Sequence, residues 1–347
     1  MAPGTDGEHL VFVAGDGPPP DGYVVALGPD GTGGWSERHR RPSLPGALTL
    51  TQHPSLNRLY VAGSDAARNQ LGYVAVLGSP ELNLVSTVPS GGHLPCYLSV
   101  DPSGHYLVVV NYLDGELVVF ELTPDGDVGE VTHRRTHPGH GPVVDRQDRS
   151  HVHQAVFDPA GRYLLVTDLG TDRIHSYTLG THGRLHPGPS PVVRLPAGHG
   201  PRHLAFVGTD KVVTTDELSS TVSWYDYAPE TGRLTWRGSE PTVDHTAGNN
   251  YPSELVITND ATVCLVGNRG NDTIAVFSIS EAGLTRTAEL EAGGRWPQHL
   301  TRVDGTVWCA LRDSDRIRAF RVTGSAVDVL GPDIQLPRPN WILVSTR

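Results

Sequence analysis

Residues 152–179 read VHQAVFDPAGRYLLVTDLGTDRIHSYTL, and the pattern of this stretch recurs along the chain. It consists of three short apolar or alternating runs, separated by turn sequences rich in Gly, Pro and Asp. Further copies begin at Pro95, Pro201, Pro252 and Pro297, and partial copies begin at Pro45 and Pro339. Successive copies begin 42 to 57 residues apart, a period typical of the four-stranded blade of a β-propeller.

The number of copies predicts seven blades. The copy at Pro339 contains only one strand, whereas residues 10–14 near the other end of the chain match a second strand. The seventh blade is therefore completed by pairing the C-terminal strand with three N-terminal strands, which leaves no long exposed sheet edge. We predict an all-β fold, a seven-bladed β-propeller with four antiparallel strands per blade, in a single domain that covers residues 1–347. Because neighbouring blades cover both faces, inner strands can be wholly apolar, whereas outer strands such as 174–177 are expected to alternate.

Composition and charge exclude several classes of protein. With 40 Gly, 28 Pro and 37% hydrophobic residues, the chain is too rich in turn residues for long helices. The formal net charge is −11 and Lys211 is the single lysine, which argues against a lysine-based phosphate loop and a basic nucleic-acid surface. No apolar stretch approaches the length of a membrane span and no signal peptide is recognisable. We expect a cytoplasmic monomer that binds neither membrane nor nucleic acid.

The positions of the cysteines and the absence of several known motifs exclude further kinds of functional site. Cys96, Cys264 and Cys309 lie far apart within or beside apolar runs, and no Cys-x-x-Cys pair exists. This excludes a zinc ribbon and predicts buried, unreactive thiols, with a reactive role for Cys96 as the alternative. The Gly-x-Ser-x-Gly elbow, the Gly-rich dinucleotide loop and the EF-hand are also absent, so we predict no bound cofactor.

One face of the predicted ring collects residues suited to acid–base and anion chemistry. In a blade the first strand follows the central channel and the second strand returns, so the start of one and the end of the other share a face. The residues after the opening positions are Gly46, Cys96, His153, Arg202, Ser253, Gln298 and Asn340. The pairs at the ends of the second strands are Asn111-Tyr112, Asp168-Leu169, Asp216-Glu217, Asn268-Arg269 and Leu311-Arg312. We expect the two sets to surround one mouth of the channel.

These residues allow structural and functional interpretations. Asn111, like the Asp or Asn at the matching place in later copies, can cap a turn through hydrogen bonds to the backbone. Glu217 and Arg269 do not favour turns, and burying either one beside the channel without a partner would cost several kcal/mol. Pairing with Arg202 would satisfy both, as a structural ion pair or as a functional cluster, and we favour the functional cluster.

The segment 145–153, DRQDRSHVH, is a second candidate feature. It falls in the longest spacing between copies, and long loops above a rigid ring often carry functional residues. His151 and His153 are two positions apart and project to the same side of an extended chain. They are candidates for metal ligands, for a general base with a substrate contact, or for surface residues. Because no third ligand follows at metal spacing, we predict no metal site. His203 occupies a comparable loop position.

Several segments together carry a family resemblance. They are Val110-Asn-Tyr with Gly115, Arg146-Gln147, His151-Val-His153, Asp168-Leu-Gly-Thr-Asp172, Gly200-Pro-Arg202-His203, Glu217 and Asn268-Arg-Gly-Asn-Asp272. Over its whole length the chain resembles the lactonase family of seven-bladed propellers, which includes 6-phosphogluconolactonases and fungal 3-carboxy-cis,cis-muconate lactonizing enzymes. The resemblance implies a metal-independent site made of His151, His153, Arg202, Glu217 and Arg269, with Arg146 and Gln147 beside it. One departure is Gln298, where the family usually carries arginine.

The residues and the resemblance predict hydrolysis of a small anionic or sugar-derived lactone. His153, with Glu217 as a second candidate, would activate a water molecule. Arg202 and Arg269 would bind the anionic group and stabilise the developing negative charge. The residues expected to bind substrate are Asn111, Arg146, Gln147, His203, Gln298 and Arg312. Two alternatives remain: a lactonizing cyclase in which Glu217 or His151 is the acid, and a non-catalytic propeller that binds a small molecule or a protein.

Overall fold

The computed structural model describes residues 10–16, 22–65, 69–244, 249–303, 305–323 and 326–345. These residues form seven four-stranded antiparallel sheets, which confirms the predicted seven-bladed propeller. The described helical elements include two short 3-10 helices, Thr181–Gly183 and Arg312–Ser314. No helix in the described part of the chain is long and apolar enough to cross a membrane.

Strands are numbered in chain order, and each blade is given from the channel outward. Blade 1 contains β28 (Pro339–Val344), β1 (Val11–Gly15), β2 (Tyr23–Pro29) and β3 (Trp35–Pro42). Blade 2 contains β4 (Ala47–Gln52), β5 (Arg58–Asp65), β6 (Leu71–Gly78) and β7 (Asn83–His93). Blade 3 contains β8 (Pro95–Val100), β9 (Tyr106–Asn111), β10 (Glu116–Leu122) and β11 (Val128–Thr136).

The remaining four blades follow the same order. Blade 4 contains β12 (Val152–Phe157), β13 (Leu164–Asp168), β14 (Arg173–Leu179) and β15 (Leu185–Arg194). Blade 5 contains β16 (Pro201–Val207), β17 (Lys211–Asp216), β18 (Thr221–Ala228) and β19 (Arg233–Pro241). Blade 6 contains β20 (Tyr251–Ile257), β21 (Val263–Arg269), β22 (Thr273–Ser280) and β23 (Gly283–Glu291). Blade 7 contains β24 (Pro297–Val303), β25 (Thr306–Leu311), β26 (Arg316–Thr323) and β27 (Ala326–Gln335).

The ring closes where the two ends of the chain meet. β28 pairs antiparallel with β1, so that Val344 lies opposite Val11 and Leu343 lies opposite Phe12. The seven innermost strands pack side by side, from β4 round to β28 and back to β4. A separate apolar cluster fills each gap between neighbouring blades. Burial of these clusters holds the blades together and gives the site a rigid frame.

The third strands are more buried than their sequence pattern indicates. Alternation of apolar and polar residues usually marks a strand with one solvent-exposed face. In β14, however, Ile174, His175, Ser176 and Tyr177 are all buried. The neighbouring blades cover both faces of the third strand, and exposed positions are concentrated in fourth strands such as β11 and β19.

Each innermost strand begins with an irregularity that bears on the site. In β16 the ladder pairs residues 201 and 203 with consecutive residues of β17, so Arg202 is the extra residue of a β-bulge. Cys96, His153 and Gln298 are the extra residues at the starts of β8, β12 and β24. A bulge leaves its extra residue unpaired and redirects the side chain. In these four blades the repeat therefore places one redirected side chain at the same mouth of the channel.

Candidate active site

Glu217 lies at the centre of a cluster of three arginines, of which Arg202 and Arg269 are buried and Arg146 is partly exposed. It directly follows β17, which ends at Asp216, and only 4% of its surface is exposed. Glu217 Oε1 accepts a hydrogen bond from Arg146 Nη2 at 2.5 Å, and Oε2 accepts one from Arg269 Nη2 at 2.5 Å. Arg202 Nε lies 3.2 Å from Oε2. The cluster therefore joins the loop before blade 4 to blades 5 and 6.

The cluster has more positive charge than negative charge, because three arginines surround one carboxylate. Burial alone would raise the pKa of Glu217, but the three arginines, Arg269 first, outweigh burial and hold this pKa well below its usual range. Burial, and next the repulsion of Arg269, lower the pKa of Arg202 to about 10, which leaves the guanidinium charged at neutral pH. A positive site thus lies inside a protein whose formal net charge is −11.

Within this cluster, Arg202 is the arginine that has buried donor nitrogens without a hydrogen-bond partner among the described residues. It is 4% exposed, and neither Nε nor Nη1 has a hydrogen-bond partner within the described ranges. The Nε–H group approaches Glu217 without pointing at it. A buried charged donor without a partner is energetically costly, so a ligand that accepts hydrogen bonds from these nitrogens is favoured here. The planar fork of arginine suits a carboxylate or a phosphate.

Aromatic side chains border the other two arginines. Arg146 donates to the Tyr112 hydroxyl at 3.3 Å, and its guanidinium lies 6.0 Å from the centre of the Tyr251 ring. Arg269 lies 5.5 Å from the centre of the Trp296 ring, and its Nε donates to the Tyr251 carbonyl at 3.2 Å. Contacts between guanidinium groups and aromatic faces are attractive and fix the orientation of the side chain. These rings therefore help to hold two arginines in place around Glu217.

The two histidines that the sequence pairs have different environments. His151 stacks on Tyr112 with ring centres 4.8 Å apart, and its nitrogens lie 3.0 Å from the Tyr112 carbonyl oxygen and 2.8 Å from Asp148 Oδ1. His153 is buried, and its Nδ1 has no hydrogen-bond partner in the described structure. Burial, and then the charge of Arg202, hold the pKa of His153 well below its ordinary value. His153 is thus a neutral imidazole beside the arginines, whereas both His151 nitrogens are engaged.

Gln298 and His203 lie next to this cluster, as the sequence predicts for residues of the mouth. Gln298 Oε1 is 3.5 Å from Arg269 Nη1. His203 follows Arg202 on β16 and meets the His153 ring edge-on, with ring centres 5.0 Å apart. Gln298 therefore borders the arginines directly, and His203 lies behind His153 along the channel.

Gln147 and Asn111, which the sequence predicts as substrate contacts, are engaged in internal hydrogen bonds. Both amide protons of Gln147 are used, because Nε2 donates to Asp172 Oδ1 and to the carbonyl oxygen of residue 169, each at 2.8 Å. The Asn111 amide exchanges two hydrogen bonds with Ser90, at 2.9 and 3.3 Å. Both residues are completely buried. They therefore brace the loops around the mouth and have little capacity left for a ligand.

Arg312, a further predicted substrate contact, is also neutralised within the protein. Its Nη2 lies 2.7 Å from Asp16 Oδ2 and its Nη1 lies 3.0 Å from Asp313 Oδ1. Its Nε donates to Asn340 Oδ1 at 3.0 Å. These contacts connect blade 7 to blade 1, whereas the Glu217 cluster connects the loop before blade 4 to blades 5 and 6.

Asp168, at the end of β13, braces the site and also belongs to a group with metal-ligand chemistry. Its Oδ1 accepts a hydrogen bond from the backbone N–H of His151 at 2.9 Å, which fixes the loop that carries Arg146. Its Oδ2 lies 3.7 Å from His175 Nε2 and 4.0 Å from His137 Nδ1. The two rings stack with centres 3.7 Å apart, so an ion shared between them would lie outside both ring planes. Imidazole ligates metals through an in-plane nitrogen lone pair, so this arrangement does not fit a metal.

Sequence reasoning did not place three residues of this region in the predicted lactonase site: Tyr251, Trp296 and Glu254. Tyr251 and Trp296 immediately precede the opening prolines of blades 6 and 7, and this shared position is the signal that identifies them. Glu254 lies two residues after Pro252, the place that His203 occupies in the preceding copy. The register of the repeat was therefore sufficient to find all three.

Comparison with known proteins agrees with this architecture. The chain is 30% identical over 232 residues to the 6-phosphogluconolactonase of Bacillus subtilis, a match that spans 63% of each chain and thus less than two thirds of that relative. A Lactobacillus plantarum protein of known structure superposes with a TM-score of 0.83 at 26% identity, covering 97% of this chain and 99% of that one. The periplasmic gluconolactonase of Pseudomonas aeruginosa shares the fold, with a TM-score of 0.87 at 23% identity over 97% and 99% of the two chains. A family model for the seven-bladed lactonase propeller matches residues 40–344, and the chain belongs to this lactonase family.

Proposed function

We propose that this protein is a metal-independent lactone hydrolase whose substrate is a small anionic lactone of the 6-phosphogluconolactone type. The observation that carries the proposal is the buried Arg202 guanidinium, which has two unpartnered nitrogens in a cluster with excess positive charge. A phosphate or carboxylate would supply both the missing negative charge and the missing acceptors. The similarity to the B. subtilis 6-phosphogluconolactonase supports this substrate class.

The three arginines have different tasks in this proposal. Arg146 and Arg269 are bonded to Glu217 and keep a fixed position, while Arg202 keeps its free nitrogens for the substrate. Because the donors are fixed before the substrate binds, little reorganisation is needed when negative charge develops. Glu217 is the counter-ion that allows Arg202 and Arg269 to be buried beside each other, with the partly exposed Arg146 next to them. Both of its carboxylate oxygens already accept hydrogen bonds from arginines, whereas His153 is a neutral imidazole, which leaves His153 as the base.

In the proposed reaction, neutral His153 takes a proton from the water molecule that attacks the carbonyl carbon of the lactone. The carbonyl oxygen becomes negative and is stabilised by Arg202 and Arg269, each donor contributing about 3 kcal/mol. When the intermediate collapses, the C–O bond of the ring breaks, the proton passes to the leaving alkoxide, and the product is a hydroxy acid. The negative charge of the bound substrate opposes that of the arginines and so makes His153 easier to protonate in the complex.

A panel of lactones followed by acid release tests the proposal. The panel contains 6-phosphogluconolactone, glucono-δ-lactone and a neutral aliphatic γ-lactone, each with and without EDTA. We expect hydrolysis above the spontaneous rate that does not depend on the chelator. We expect kcat/KM to favour the phosphorylated lactone over its neutral counterpart by about tenfold to a hundredfold, the value of one charge-assisted hydrogen bond.

Variants assign the chemistry to the cluster. His153→Gln and Arg202→Gln should each lower kcat by about a hundredfold. Arg312→Gln is the matched control, because this arginine lies on the same face but is already paired with Asp16 and Asp313. The proposal is wrong if the wild type hydrolyses none of the lactones, or if Arg202→Gln and Arg312→Gln have equal effects. Loss of activity in EDTA would contradict metal independence alone.

A further inference from the structure

The mouth of the channel carries an aromatic wall made of two side chains, Tyr251 and Trp296. They occupy the same place in the repeat, immediately before the opening prolines of blades 6 and 7. Their ring centres lie 6.3 Å apart, and the ring planes meet at 51°. Both residues are only partly buried, so a portion of the wall is accessible to a ligand at the mouth.

Packing between blades does not explain the two rings. Trp35, Trp224 and Trp308 contribute to apolar clusters between neighbouring blades. Neither Tyr251 nor Trp296 belongs to any of the seven clusters that the described residues form. Aromatic side chains that stay partly exposed beside polar groups are typical of binding surfaces. The wall is therefore a candidate contact for a ligand.

The wall stands between two arginines of the Glu217 cluster. The Arg146 guanidinium lies 6.0 Å from the centre of the Tyr251 ring, and that of Arg269 lies 5.5 Å from the centre of the Trp296 ring. Both arginines donate hydrogen bonds to Glu217. A molecule whose anionic group binds at this cluster would therefore have the remainder of its structure beside the aromatic wall.

The repeat itself does not require an aromatic residue at the position of Trp296. The backbone N–H of Trp296 donates to Asp272 Oδ1 at 2.8 Å, and its φ is +61°, a left-handed conformation that bulky residues rarely adopt. In blade 5 the same place holds Gly200, whose φ is +63°. In blade 3 it holds Leu94, whose φ is +50°. The indole is thus a property of this blade, and its fixed backbone sets the direction of the ring.

We propose that Trp296 is a specificity-determining residue that packs against the carbon ring of a sugar anion whose anionic group is held by the arginines. A pyranose ring carries its hydroxyl groups around the edge, whereas the C–H groups of its faces are apolar enough to pack on an indole. This inference rests on the proposed function, because it places the ring of the lactone on the wall. The same contact exists in substrate and transition state, so it should lower KM and leave kcat nearly unchanged.

Two anions that the protein cannot hydrolyse as lactones test this role. Glucose 6-phosphate presents a phosphate and a pyranose ring, whereas inorganic phosphate presents the anion alone. Isothermal titration calorimetry should show that Trp296→Leu weakens the binding of glucose 6-phosphate about tenfold and that of phosphate less than about twofold. Trp296→Phe keeps an aromatic face and should restore most of the lost affinity.

The substitutions are taken from the chain itself. Leucine already occupies the equivalent place at Leu94, and glycine occupies it at Gly200, both with positive φ. Trp296→Gly therefore serves as a second variant with the same expected ranking of the two anions. The control is Trp236→Leu, because Trp236 is 37% exposed on β19, where its indole N–H donates to Ser223 Oγ at 3.3 Å. This control should leave both affinities within about twofold of wild type.

Steady-state kinetics with 6-phosphogluconolactone supply a second measurement. For Trp296→Leu we expect KM to rise about tenfold while kcat stays within about threefold of wild type. A fall in kcat with an unchanged KM would contradict a contact that serves binding alone.

The outcomes separate this site from the proposed function. Equal weakening of both anions in Trp296→Leu would mean that the indole acts only by holding Arg269, and it would overturn the proposal. An unchanged affinity for glucose 6-phosphate would overturn it as well. A wild type that hydrolyses no lactone but binds glucose 6-phosphate in a manner dependent on Trp296 would refute the proposed hydrolysis and support the sugar-anion site. An active wild type that binds glucose 6-phosphate no more tightly than phosphate would refute the site alone.

Discussion

Replacing Glu217 by glutamine should destabilise the protein in the absence of anions and increase its affinity for them. Glu217 accepts two hydrogen bonds of 2.5 Å from Arg146 and Arg269, and Arg202 approaches it at 3.2 Å. Glutamine preserves the shape, but it replaces one carboxylate oxygen by an NH₂ group that faces a guanidinium donor. The three arginines would also lose their only counter-ion within this cluster.

The size of the effect follows from the burial of the cluster. Removing one partner of a buried ion pair costs about 3–5 kcal/mol. We take about 3 kcal/mol, because the Arg146 side chain is 35% exposed and its interaction is partly screened by water. The unfolding entropy of a chain of 347 residues is roughly 0.7 kcal/mol per kelvin, so the Tm should fall by about 4 °C.

Differential scanning calorimetry at pH 7.5 in low-salt buffer measures this shift, and a phosphate titration measures the change in anion affinity. Phosphate should raise the Tm of Glu217→Gln more than that of wild type, because binding to the folded state adds stability. The control is Glu116→Gln, which removes a 2.6 Å ion pair with Arg134, an arginine whose side chain is 46% exposed. Its Tm should stay within about 1 °C of wild type. A Tm equally unchanged in Glu217→Gln, or an unchanged phosphate affinity, would refute the electrostatic account of the cluster.

The buried histidines, the buried thiols and the closure of the ring each have a measurable consequence. Burial holds the pKa of His137 at about 3 and that of His299 at about 4, so below pH 6.5 the unfolded state binds protons first. The free energy of unfolding should therefore decrease from pH 6.5 towards pH 4 by about 1.4 kcal/mol per pH unit for each histidine. Calorimetry over this pH range should show a smaller decrease in His299→Gln than in wild type. An identical slope in the two proteins would contradict this prediction. Burial raises the pKa of Cys96 to about 12 and its thiol donates to the His153 carbonyl at 3.2 Å, so Ellman's reagent at pH 8 should label no thiol before unfolding and three afterwards. Ending the chain at Arg338 removes β28, so the apolar clusters on both sides of blade 1 lose their inner strand. We expect the shortened chain to show no cooperative unfolding transition by circular dichroism. A cooperative transition would show that closure of the ring is dispensable.

The fold was predictable from the sequence because each blade carries the same physical requirement. A four-stranded sheet with two apolar faces needs a neighbour on each side, so the repeat length fixes the blade and the number of copies fixes the ring. The single strand that starts at Pro339 and the unmatched second strand near Val11 left one solution, a blade shared by both ends of the chain. The antiparallel pairing of β28 with β1 confirms it.

The candidate site was predictable where a residue's position in the repeat decides its surroundings. Arg202 and His153 share one register position, and the bulge that leaves each of them unpaired occurs at that position in β8, β24 and β28 as well. Arg312 shows the limit of this reasoning. Its partner Asp16 is 296 residues away in the sequence and belongs to another blade, so repeat register alone could not reveal that its charge is already neutralised. The register places a charged residue within its blade, but the choice of its ion-pair partner depends on distances between side chains of different blades.

The balance of charge in the cluster bears on product release as well as on binding. Lactone hydrolysis converts a neutral ester into a carboxylate, so the product of the proposed reaction carries one more negative charge than the substrate. Three arginines without a counter-ion would hold such a product tightly, and slow release of product limits turnover in many enzymes. Glu217 lowers the net positive charge of the cluster from three to two. The negative surface of the protein, screened beyond about 8 Å at physiological salt, contributes little at the mouth, so this balance is set by the buried groups themselves.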